Sequence, residues 1–228
     1  LRLVPHPSPN FGDRRGGARP DLVVIHYTAM PDLAAARDRL CDPAAEVSAH
    51  YLIDGDGTVL TLVPEEARAW HAGAGSWGGV GDINSRSIGV ELANDGASPF
   101  PAAQMGALET LLGGVMARWN IPHERVIGHS DMAPDRKGDP GARFDWRRLA
   151  RSGLSVWPEA TEADAFDAAA FARVAQVFGY PEAAPEVLLR AVRLRFRPWA
   201  SGPGEAADMA IVTDLSRRFA VDGGGAGA

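Results

Sequence analysis

The sequence predicts an α/β fold, a mixed domain to about residue 153 followed by a small three-helix C-terminal module. Three observations carry this. Short β-branched runs, "DLVVIHY" (21–27), "SRSIGVELAN" (85–94) and "ERVIGH" (124–129), have the length and composition of strands. Other stretches, above all "PAAQMGALETLLGGVMARWN" (101–120), repeat apolar residues at helical spacing. Near residue 153 the composition shifts, and three helical patterns follow with no further strand signal.

Taken in order, residues 1–20 are rich in Pro, Gly and Arg and read as an extended arm. A buried strand ends at His26. "PDLAAARDRLCDP" (31–43) is a short helix bounded by prolines. "AHYLIDGDGTVLTLV" (49–63) is a hairpin around its "DGDG" turn. In 85–94 the alternation puts Ile88, Val90 and Leu92 on one face and Gly89, Glu91 and Ala93 on the other. The long helix carries Leu108, Leu111, Leu112, Val115, Met116 and Trp119 on its apolar side and stops at Asn120 and Pro122. A strand closing on His129 and a helical turn over "DWRRLA" (145–150) complete the domain. The module, 154–222, holds helices at roughly 164–178, 185–196 and 205–219, and the tail 223–228 is expected to be disordered. There is no internal repeat.

The totals narrow the function. A chain of 228 residues, 46% hydrophobic and 23% charged, can bury a real core. A net charge of −6 argues against a nucleic-acid partner. No apolar run approaches a membrane span, and the opening residues have no apolar core of a signal peptide, which leaves a leader removed during maturation compatible with the sequence. Cys41 is alone, so neither an internal disulfide nor a cysteine metal cluster is expected.

The chemistry is concentrated at two strand ends and one loop. Two of the six histidines, His26 and His129, close strands in the same way, "VVIH" and "RVIGH". If those strands are neighbours, the imidazoles converge. The loop after His129, "GHSDMAPDRKGDPG" (128–141), brackets Asp139 between Gly138 and Pro140, a turn able to bring a carboxylate back to the strand it left. Two histidines and one aspartate with an open fourth position is a pattern of catalytic zinc; it is also the ligand set of non-haem iron oxygenases, although those place a histidine and the carboxylate close together on one strand. Glu91, flanked on its face only by Gly89 and Ala93, suggests a cavity in which a carboxylate takes a proton from an activated water. Lys137 is the one lysine among 23 basic residues; a point charge on a flexible stem suits an oxyanion in a tight pocket better than an arginine fork. His50, His71 and Trp70 are candidates for the substrate cleft, and each is equally compatible with packing.

In this order, "VIHYTA", "SAHYLI", "WHAG", "SIGVEL" and "GHSDMAPDRKGDPG" resemble the zinc N-acetylmuramoyl-L-alanine amidases of the type 2 family, relatives of animal peptidoglycan recognition proteins. The resemblance covers about residues 3–150. It implies a mixed central sheet flanked by helices, one Zn²⁺ on His26, His129 and Asp139, Glu91 as general base and Lys137 as the cation that stabilises the oxyanion. The implied reaction cleaves the amide between N-acetylmuramic acid and L-alanine of the stem peptide. Peptidoglycan or muropeptides are then the partners, the protein a monomer, and the cell envelope the expected location, with the cytoplasm as alternative. The last three helices more weakly resemble a peptidoglycan-binding module. Some relatives carry a tyrosine where this chain has Ala49, which shifts weight onto Glu91. The rival reading is a non-catalytic peptidoglycan-binding protein on the same fold.

Overall fold

The computed structural model describes residues 1–159 and 165–221. The chain runs β1 (Arg2–Pro5), β2 (Phe11–Gly12), β3 (Leu22–Tyr27), α1 (Leu33–Cys41), β4 (Tyr51–Ile53), β5 (Thr58–Thr61), β6 (Arg68–Ala69), α2 (Ile83–Arg86) and β7 (Ser87–Leu92). It continues through α3 (Ala102–Trp119), β8 (Val126–Gly128), α4 (His129–Met132), α5 (Trp146–Arg151), α6 (Ala168–Phe178), α7 (Pro185–Phe196) and α8 (Ala206–Arg218). The tail expected to be disordered lies outside the described residues, as does residue 164, the expected start of the sixth helix. No described helix is long and apolar enough to cross a membrane.

Six strands form one mixed sheet in the order β1-β5-β4-β7-β3-β8. Only β4 and β5 are antiparallel, joined through the "DGDG" turn; the other neighbours are parallel. The N-terminal arm is extended, but it is not free: Arg2–Pro5 pairs with β5 as an edge strand. Three residues before a proline give no strand pattern, yet an edge position tolerates Pro5 because one side of the strand needs no partner. β2 and β6 make a separate two-stranded ribbon over a loop that gave no strand signal.

Alternation along β3 explains the layers. Val23 and Ile25 join Ile88, Val90 and Leu92 against Leu108, Leu111, Leu112 and Val115 of α3 and Trp146 and Leu149 of α5. Leu22 and Val24 point the other way, with Ile127 of β8, into a cluster with Trp77, Met132 and the apolar faces of α6, α7 and α8. Phe171, Phe178, Leu188, Val192, Phe196 and Leu215 are there essentially without solvent contact. The C-terminal helices therefore supply much of the layer on the second face of the sheet. α1 closes the β4–β5 end through Ala36 and Leu40 against Leu52, Leu60 and Leu62. Asp32 caps α1, Asp145 caps α5 and Asp167 caps α6, each accepting a backbone N–H three residues on.

Two polar clusters pin these layers. Glu65 accepts from Tyr51 Oη at 2.5 Å, Trp119 Nε1 at 2.5 Å and Arg118 Nη2 at 2.6 Å, which ties the end of α3 to the hairpin. Deeper, Arg195 of α7 pairs with Asp131 of α4 at 2.7 Å, both side chains 1% exposed. Asp131 also accepts from the Tyr180 hydroxyl at 2.8 Å and the Gly128 N–H at 2.8 Å. The Arg195 guanidinium lies 4.3 Å from the Trp146 ring centroid.

Breaking one partner of a buried pair leaves an uncompensated charge. Arg195→Met is expected to cost about 3–5 kcal/mol in denaturant unfolding, whereas Arg217→Ala, at a side chain 78% exposed, stays within about 0.5 kcal/mol; equal effects would remove the pair from this role. For Glu65, burial works to raise the carboxyl, but the bonds from Arg118, Tyr51 and Trp119 outweigh it and hold it below the ordinary value of 4.5. Its contribution is therefore present above that value and is lost as pH falls through the lowered one. Glu65→Gln should cost about 1–3 kcal/mol at pH 7, and the two proteins should converge in stability as the pH falls through the lowered value.

Candidate active site

β8, β3 and β7 lie side by side and parallel, so their carboxyl ends open at one edge, the usual place for a site in such sheets. The register pairs His26 directly with Glu91 and Ile25 with Gly128. One step beyond that last pair stand His26 and His129, both buried, on the face that also carries Val24 and Ile127. The loop after α4 returns as its sequence suggested: the Ser130 N–H donates to the Asp139 carbonyl at 2.9 Å. Glycine is needed at 128, where a Cβ would stand 2.8 Å from Pro140 Cδ and block that return.

Three atoms meet at the strand ends. His26 Nδ1 is 2.9 Å from His129 Nδ1 and 2.9 Å from Asp139 Oδ2, and His129 Nδ1 is 3.0 Å from the same oxygen. Burial, followed by the field of His129, lowers His26 to about 4. Burial works to raise Asp139, but the adjoining His129 and His26 rings prevail and hold it well below the carboxylate range. His129 Nε2 donates to the Ala72 carbonyl at 2.8 Å, so in the neutral ring its Nδ1 is a lone pair. Two imidazoles and a carboxylate converging within about 3 Å form a donor set for a borderline divalent cation. The described His, Cys, Asp and Glu residues form no other such group.

Glu91 lines the same cleft, a cavity of about 510 Å³. Burial, then the charge of Asp139, pushes its carboxyl up to about 8, against the opposing pull of Lys137. Its Oε2 is buried and has no hydrogen-bond partner among the described residues, so nothing there competes for a proton it would accept. Lys137 is exposed on the rim, and Trp70 and His71 form part of the wall. The bare face expected around Glu91 is only partly open. A Cβ on Gly89 would stand 2.4 Å from His71 Cγ, so the imidazole fills the space that glycine leaves.

His50 stands apart. It is fully buried, accepts the Gly89 N–H at Nδ1 (2.9 Å) and donates from Nε2 to the Ala67 carbonyl (3.1 Å), and it does not line the cleft. Both ring nitrogens are thereby used on backbone. Ala49 beside it is also fully buried. Among residues that sequence reasoning passed over, Arg136 lines the cleft while its guanidinium holds the Ala72 carbonyl at 2.7 Å and that of Ala74. Asn84 fixes the loop of His71 by accepting the N–H groups of residues 71 and 72 at 3.0 and 2.8 Å. Asn84 carries no motif signal, and Arg136, although inside "GHSDMAPDRKGDPG", gives no sign of this role, because each acts on main chain brought near only by folding.

Comparison with known proteins identifies a family. The family described as N-acetylmuramoyl-L-alanine amidase matches residues 16–142. The chain is 34% identical to the N-acetylmuramoyl-L-alanine amidase AmiD of Escherichia coli over 88% of its own length and 84% of that protein. It is 35% identical to the 1,6-anhydro-N-acetylmuramyl-L-alanine amidase AmpD of Enterobacter cloacae, over 63% of this chain and 86% of that one. The solved complex of E. coli AmiD with anhydro-N-acetylmuramic acid-L-Ala-D-γ-Glu-L-Lys superposes with a TM-score of 0.81 at 31% identity, covering 92% of this chain and 98% of that one.

Proposed function

The chain belongs to the family of N-acetylmuramoyl-L-alanine amidases, and on that premise we propose that it hydrolyses the amide between N-acetylmuramic acid and L-alanine of the peptidoglycan stem peptide in a zinc-dependent reaction, with Glu91 as general base. What supports the reading above all is the convergence of three atoms able to ligate a metal beside a buried carboxylate oxygen that has no partner among the described residues. The non-catalytic alternative would be favoured by a lost ligand, and none of the three is lost.

His26, His129 and Asp139 are the residues that would hold the ion. When bound, zinc supplies Lewis acidity, which polarises a carbonyl and makes water nucleophilic near neutral pH. Glu91 takes the proton of the attacking water and delivers it to the L-alanine nitrogen as the C–N bond breaks, so that the amine leaves neutral. Lys137 presents an ammonium to the carbonyl oxygen as negative charge builds there. Trp70 offers an indole face to the sugar or the peptide, and His71 belongs to the wall behind the ion. His50, with both nitrogens engaged, has a packing role. For α6, α7 and α8 the first role is structural, as part of the core beneath the site.

The test joins metal content to product. Mass spectrometry of the purified protein should find a single zinc ion per chain, and incubation with anhydro-N-acetylmuramyl tripeptide should release a stem peptide with a free L-alanine amino terminus. A protein that holds no zinc and releases no peptide would refute the proposal. Glu91→Gln should keep its zinc and lose about 10²–10⁴-fold in kcat; unchanged turnover would remove Glu91 from the mechanism. Lys137→Ala should lower kcat more than it raises KM, and the opposite split would make it a binding residue only.

A further inference from the structure

His71 sits between one ligand of the candidate metal centre and a serine hydroxyl. Its Nδ1 is 3.0 Å from His26 Nε2, and its Nε2 is 3.1 Å from Ser87 Oγ. The Ser87 hydroxyl donates to the Ile83 carbonyl at 2.6 Å.

Each contact fixes the direction of the next. A carbonyl can only accept, so the one Ser87 proton is committed to Ile83, and the serine oxygen is left as an acceptor. His71 Nε2 must then carry hydrogen and donate to it. In the neutral ring His71 Nδ1 is consequently a lone pair, which requires His26 Nε2 to be the donor. His26 Nδ1 is left without hydrogen, and it is this atom that faces His129 Nδ1 and Asp139 Oδ2. His129 reaches the same tautomer by a shorter route, donating from Nε2 to the Ala72 carbonyl.

The chain of bonds is held rigidly. The His71 ring rests on Gly89, where no Cβ intervenes, and meets the His26 ring edge-on at 5.1 Å between centroids. The backbone N–H of His71 is anchored on Asn84 Oδ1. Ser87 is fully buried at the junction of α2 and β7. The alternative tautomer of His71 would turn its Nδ1–H on His26, move the His26 hydrogen onto Nδ1 and aim it at the other two ligands.

We propose that Ser87 and His71 form a hydrogen-bond relay that sets the tautomer of His26 and thereby raises the affinity of the site for its divalent ion. Both are positioning residues, since neither is a ligand, and the proposal rests on the metal-centre reading given above. Loss of an outer partner of a metal-bound histidine typically costs about 10–100-fold in metal affinity.

The experiment uses the full chain stripped of metal and titrated with Zn²⁺ against a chelating dye, with circular dichroism to confirm folding. Ser87→Ala should weaken zinc binding about 10-fold and His71→Phe about 10–100-fold. His71→Gln, whose amide oxygen can still accept from His26 Nε2, should recover part of the loss. The unsubstituted metal-free protein provides a readout independent of any variant: ¹⁵N-histidine NMR should find His26 protonated at Nε2 and bare at Nδ1. Folded Ser87→Ala and His71→Phe proteins that bind zinc within about twofold of the parent would overturn the relay while leaving the metal centre standing, as would a His26 hydrogen on Nδ1. A parent protein that binds no zinc would instead refute the metal centre and the relay together.

Discussion

Three adjacent parallel strands, β8, β3 and β7, end at one level, and this shared register governs the site. Because His26 faces Glu91 across a strand pair and His129 follows the residue paired with Ile25, three functional side chains arrive together with no long-range coincidence required. A slip of one residue in β3 would turn His26 toward α3 and bring Ile25 to the cleft. The strict alternation of Leu22 to Ile25 between two apolar layers resists that slip, since each wrong register buries a histidine in the core. Only Asp139 has to be delivered by a loop, and a loop that leaves β8 needs merely to fold back on its own strand end.

Much of this was legible in the primary structure. A strand ending in histidine is a compact statement, and two of them, followed by an aspartate in a Gly/Pro turn, already name the three residues whose donor atoms converge. The hairpin and the end of α3 at Asn120 were equally readable, because turn chemistry is local. What was not legible depends on neighbours. The identical appearance of His50 and His71, each beside an aromatic residue, conceals opposite surroundings: one spends both nitrogens on backbone, the other reaches a ligand and a serine. Gly89 read as empty space, since a sequence records a missing side chain but not the imidazole that occupies its place. Residues 2–5 read as arm because an edge strand with one partner needs no two-sided apolar pattern.

The use of basic residues follows a physical division. Arginines in this protein bind several main-chain carbonyls at once. Arg14 reaches those of Ser85 at 2.9 Å and Glu65 at 2.6 Å, and Arg193 those of Gly202 and Pro203 at 2.7 Å each. A planar fork with five donors is suited to such clamping. The single lysine is exposed at the mouth of the cleft, a compact charge on a flexible stem.

The packing of α6, α7 and α8 bears on how such a protein can evolve. Their inner faces complete a cluster begun by Leu22, Val24 and Ile127, and Arg195 reaches through it to the segment that carries His129. A segment in that position is not a cassette that recombination can trade between genes. Its inward surface must drift in step with the strands beneath it, so divergence there is constrained by the residues that the same strands carry at their ends, on the same face.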